Sequence, residues 1–159
     1  MALSGFVLAA VVPGVVWLAR RVPMWERVSL PPVIALPVLV VVHAWVVLAD
    51  LLHPMPAALT VVSELVLLAA AVTFWVPVVV RTRHRPGDAG RCLCLFLAAP
   101  LLDLPVLGMI AAGHSAEGLA MIVGMLPLGV IAAALTWSWI NREERQATAD
   151  AVPLAAGGP

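Results

Sequence analysis

The chain has 159 residues, 63% hydrophobic and 11% charged, with zero net charge and a mean hydropathy of +1.06. Soluble domains carry roughly a quarter charged residues, so this composition excludes an ordinary soluble domain and indicates an integral membrane protein. The basic side chains other than His are all Arg, and balanced as they are by acids they give no basis for nucleic-acid binding.

In chain order, the apolar runs predict five transmembrane helices, because about 20 residues rising ~1.5 Å each cross a hydrocarbon core of ~30 Å. They are expected near residues 2–19, 29–52, 56–80, 92–112 and 117–140. The expected architecture is an all-α polytopic transmembrane helical bundle over residues 1–145, followed by a disordered cytoplasmic tail at 146–159 that is small, polar and Gly/Pro-ended. No basic residue precedes the first run and Arg20 and Arg21 follow it, so a retained span is expected rather than a cleaved signal peptide.

The connections set the expected orientation. Arg20, Arg21 and Arg27 follow the first run, Arg81, Arg83, Arg85 and Arg91 follow the third, and Arg142 and Arg145 follow the fifth. The two remaining connections, "HPMP" and "GHSAE", carry no Arg. The positive-inside rule then places the N-terminus outside and the C-terminus in the cytoplasm. Trp17, Trp25, Trp75, Trp137 and Trp139 are expected at the cytoplasmic interface, with Trp45 alone lying deep.

The second run contains His43 and, seven residues on, Asp50. Seven steps of ~100° return a side chain to within about 20° of its start, so the two share one stripe. Counted from the outer end of each span, His43, Glu64 of the third and Asp103 of the fourth all lie ~12 to 15 Å deep. A carboxylate in hydrocarbon costs a few kcal/mol at least, so these groups are expected to face the bundle interior. Two readings stand. One is a metal-handling or proton-relay site open to the outer face; the other is a set of interhelical hydrogen bonds that fixes helix register. Pro100 and Pro105 flank Asp103 and free carbonyls at Phe96 and Leu101, which favours a shaped cavity.

Met55, Met109, Met121 and Met125, with His53 and His114, fall on the outer half. Thioethers and imidazoles suit Cu(I), and Met121 and Met125 share a helical face. Met is also an ordinary apolar residue of membrane helices, and no compact Met repeat is present. Cys92 and Cys94 point ~200° apart on a regular helix and would not chelate one ion. His84 lies in an Arg-rich connection that reads as solvated or in contact with lipid headgroups. The sequence shows no phosphate-binding glycine loop, hydrolytic triad or haem motif, so no enzymatic activity is expected.

Several stretches together resemble the CtaG family of cytochrome c oxidase assembly factors. "SELVLLAAAVTFWVPVV", residues 63–79, is similar to the family's Glu-His-Leu segment followed by Phe-Trp-Trp-Pro, with Phe74, Trp75, Val76 and Pro77 at the motif. His43 matches a family His, and His53 with Pro54 resembles its His-Pro-Trp stretch. "RCLCLFLAAP" keeps Arg91 and Pro100 in register, and "GMLPLG" through "NREER" resembles the last family helix and its basic exit. The departures are Glu64 for the family His, Ser63 for the adjacent acid, Val76 for the second Trp and Met125 for a Trp. The family's amino-terminal spans, with their paired His, have no counterpart, as if this sequence began after them.

The resemblance implies a multi-pass protein of the bacterial inner membrane that serves as a non-enzymatic accessory or assembly factor for a respiratory oxidase. It implies copper as the metal and oxidase subunits as partners. His43 carries over directly, Glu64 as a substitution, and Asp103, Asp50, Met125 and His53 join the candidate metal set by burial or position. The alternative is a structural or partner-binding membrane subunit that keeps the fold without metal. A proton or ion conductor would use the same carboxylates, but nothing continues their line toward the cytoplasm.

Overall fold

A computed structural model describes residues 5–22, 24–52 and 56–156, with the side chains of 50, 51 and 150–156 left aside. The described residues form helices and no strands. These are α1 (Val7–Leu18), a short α2 (Trp25–Val28), α3 (Pro32–Leu52), α4 (Ala57–Val79), α5 (Asp88–Ala111) and α6 (Ser115–Ala156). Four segments, Pro32–Ala49, Ala57–Val79, Asp88–Ala111 and Ser115–Ala149, are long and apolar enough to cross a membrane. The first run, expected to span from 2 to 19, appears among the described residues as the shorter α1.

Short connections make α3 to α6 run alternately up and down, and the packing closes a ring. α1 lies against α4 and α6, α4 against α3, α3 against α5, and α5 against α6. Each helix buries one face into the ring and leaves large apolar side chains such as Val33, Leu65, Leu104 and Val130 on the outside. That inside-out surface is expected where the outer solvent is lipid, which is as apolar as the core. The ring has almost no lumen. Leu8, Ala9, Leu39, Phe74, Leu102 and Met125, drawn from α1 and the four long helices, enclose a void of about 10 Å³, room for a water at most.

Small residues permit the closest approach. Gly5, in the helical residues leading into α1, lies one turn before Ala9, and a Cβ at Gly5 would stand 3.1 Å from the Met121 carbonyl of α6, as in small-xxx-small helix pairs. At the α5–α6 corner, Gly113 takes φ +98°. This lets Gly113 N donate to Ile110 O and His114 N to Met109 O, both at 3.1 Å, the bond pair of a Schellman cap.

The start of α1 shows how a proline is accommodated. Val7–Val11 form a π-helical turn in which Val12 N donates to Val7 O. Leu8 O therefore loses its α-helical donor, and its π-helical donor would be residue 13, which is proline and has no N–H. Trp75 Nε1 of α4 supplies the missing bond at 2.9 Å. Trp75 is thus 1% exposed in the core, not at an interface as its position near an Arg cluster suggests, because its indole N–H has a buried carbonyl to satisfy. Phe74 packs edge-on against it, ring centres 5.5 Å apart.

The tail expected to be disordered from residue 146 instead continues α6 as far as Ala156. At 42 residues, about 1.5 Å each, α6 is roughly twice as long as the hydrocarbon is thick, so its last turns extend beyond the span. Good helix formers in "NREERQA", a Trp139 Nε1 bond to Glu143 at 3.1 Å and an Arg142 bridge to Asp88 at 2.9 Å hold this stretch.

Candidate functional site

His43 sits on α3 one turn beyond Leu39, a residue of the void, in the direction away from the Arg-bearing end. It is completely buried. The ring meets the backbone of Leu102 on α5, but among the described residues neither Nδ1 nor Nε2 completes a hydrogen bond. A neutral imidazole always carries one donor and one acceptor, and leaving such groups unmet costs about 1 to 3 kcal/mol.

Because α3 and α6 run antiparallel, one turn beyond Met125 on the same side of the void lies Met121. His43 and Met121 therefore occupy one level, and both are fully buried. Met109, farther along α5, is buried as well. The ring of helices thus places an unpartnered imidazole and thioether sulfurs in the same half of the bundle. Met125 itself packs into the core against α1, its Cγ 3.6 Å from a Cβ built on Gly5.

Asp103 follows Leu102 on α5 and is half-buried, with Oδ1 buried and without a partner among the described residues. Glu64 does not share this burial: it is exposed. Its angular position on α4 is inward, seven residues from Ala71 on the stripe that buries Leu67, Ala71 and Phe74. The side chain of Asp50 and all of His53, like Met55, lie outside the described residues. Among those described, no three His, Cys, Asp or Glu side chains gather at metal-binding range.

The Arg-bearing end is organised by polar contacts that the sequence did not signal. Arg91, 9% exposed, bonds Asp88 at 3.3 Å, and the second Asp88 oxygen takes Arg142 of α6 at 2.9 Å. Ser29 and Thr82 share a buried hydrogen bond of 2.8 Å, joining the entry to α3 with the exit from α4. Only the Arg spacing of "RTRHRPGDAGR" hinted at this cluster, and spacing in a connection cannot reveal which Arg turns inward.

The chain matches no family model, no curated protein and no solved structure.

Proposed function

We propose that this protein is a non-enzymatic accessory or assembly factor of the bacterial inner membrane, acting for a respiratory cytochrome c oxidase and handling copper from its outer half. The orientation follows from the Arg-bearing connections, which the positive-inside rule assigns to the cytoplasm, with five spans if the first apolar run crosses. The observation that carries the reading is the imidazole of His43, wholly buried and, beyond its approach to the Leu102 backbone, without a completed hydrogen bond among the described residues. Buried polar groups without partners call for an explanation such as an ion, a water or a chemical role.

The donor types fit a soft cation in part. His43 and Met121 at one level offer a nitrogen and a thioether, a combination suited to Cu(I). Among the described residues the carboxylates gather into no metal-binding group, and the copper proposed here is cargo. The family resemblance of residues 63–79 and of His43 points the same way. Anaerobic Cu(I) titration of the purified protein tests this. Stoichiometric binding that disappears in His43→Ala and weakens in Met121→Leu is expected, together with co-purification of a terminal oxidase after mild solubilisation. Binding no greater than the detergent background removes the metal role.

A second reading, a structural or partner-binding subunit, is favoured by a separate observation. Met109, Met121 and Met125 are all packed into the core, which is what apolar filling requires of them. Co-purification with an oxidase and no copper uptake would select it.

A further inference from the structure

The Arg-bearing end holds two adjoining cavities that the His43 level does not involve. One, about 480 Å³, lies between α1, α4 and α6, walled by Ala10, Pro13, Ile131 and Leu135 with Arg91 reaching in from α5. The other, about 430 Å³, is lined by Arg20, Arg81 and Arg85. Trp17 and Val79 line both, so the apolar and basic cavities form one continuous groove.

Charge in this groove is only partly compensated. Asp88 is shared between Arg91 and Arg142, and Arg91 Nε remains buried without a partner among the described residues. Arg85 stands close enough to Arg91 for the two guanidiniums to repel. Arg20 is held over the Trp17 ring, 4.5 Å from its centre, a cation–π contact that fixes a third charge at the groove's mouth. Like charges are brought together at a cost unless an anion lies between them, and guanidinium forks match phosphate oxygens in geometry. A small anion would need only the basic cavity. The apolar continuation, running between helices that face lipid, fits a hydrocarbon chain attached to that anion.

We propose that the groove binds one anionic phospholipid, its phosphate held by Arg20, Arg85 and Arg91 and an acyl chain laid against α1 and α6. Basic pockets between transmembrane helices are suited to such headgroups. The lipid also satisfies Arg91 Nε and neutralises the repulsion that the fold creates, so it acts as a structural component of the bundle's basic end.

The test uses the full chain reconstituted in phosphatidylcholine bilayers and titrated with phosphatidylglycerol bearing brominated acyl chains, which quench indole fluorescence on contact. Quenching in excess of that from brominated phosphatidylcholine is expected, and Trp17→Phe should remove most of the excess. Arg20→Gln and Arg85→Gln, outside the packed core, should each lower the preference for the anionic lipid by about fivefold, equivalent to ~1 kcal/mol per arginine near a charged membrane surface. Equal quenching by the two lipids overturns the proposal. So does loss of the excess on adding millimolar inorganic phosphate, which would identify a small-anion site instead.

Discussion

Between the central void and the Arg-bearing end, neighbouring segments are joined by polar contacts: Trp75 to Leu8, Ser29 to Thr82, and Asp88 to both Arg91 and Arg142. On the other side of the void, two buried polar groups, His43 and Asp103 Oδ1, complete no such tie among the described residues. At the basic end His84 Nδ1 and Arg91 Nε are also buried without a partner among the described residues, but they lie on or beside the Arg-rich connection rather than deep in a span. Those beyond the void lie among apolar helices. Unmet polarity is far costlier in that setting, so the two halves divide the labour: one end fixes the bundle, and the other carries groups that packing alone does not justify.

Breaking the fixed half should give the largest effect. Trp75→Ala removes a fully buried indole and strands the Leu8 carbonyl beside Pro13. We expect a loss of about 3 kcal/mol, at the lower end of the range for buried aromatic truncation, since lipid offers no hydrophobic penalty for the unfolded bundle. Trp75→Phe keeps the ring but deletes the donor, and should cost about 1 kcal/mol, within the range for interhelical hydrogen bonds in membranes. Reversible unfolding in mixed micelles measures both. Equal losses for the two variants would mean that the Leu8 bond, not the packing, dominates.

The opposite half should respond with the opposite sign. Replacing His43 by Leu swaps an unpartnered imidazole for an apolar side chain of similar bulk. The expected result is a gain of about 1 kcal/mol, because removing an unmet buried polar group relieves its desolvation cost. A loss of that size in metal-free protein would show instead that the imidazole has a partner in the resting bundle, and the contrast between the halves would fail.

Much of this division was legible from residue order, and the exceptions have physical causes. The four long helices follow from run length, since the bilayer sets a minimum that only uninterrupted apolar stretches meet. The burial of His43 follows from the cost of turning an imidazole toward lipid. The burial of Trp75 did not, because hydropathy cannot separate an indole at an interface from one that feeds a stranded carbonyl. Pro13 marked α1 as short of one donor, yet nothing in the sequence named the group that would supply it. Glu64 shows the converse: it lies on the stripe that buries Leu67, Ala71 and Phe74 yet is exposed, because periodicity gives a residue's angle on its helix and not what packs beside it. Along "REERQATADA" polarity alone suggests disorder, while the helix-forming character of those residues and the Asp88 bridge of Arg142 favour the continued helix.

The smallest expected effect sharpens the comparison at the corner joining α5 to α6, in the half where polar ties are scarce. Gly113 adopts a left-handed conformation that costs an L-residue roughly 1 kcal/mol, and nothing crowds a Cβ there. Gly113→Ala should therefore destabilise by about 1 kcal/mol through backbone strain alone. Gly118→Ala, a turn into α6, would bring its Cβ to 2.5 Å from Ile110 Cγ1, so it tests packing rather than conformation. If relieving that contact by Ile110→Ala, which removes Cγ1, restores Gly118→Ala but leaves Gly113→Ala unchanged, the two glycines serve separate physical ends. The corner is then held by a Schellman cap and a close helix approach, without the ionic bridge that locks the same two helices at their basic end.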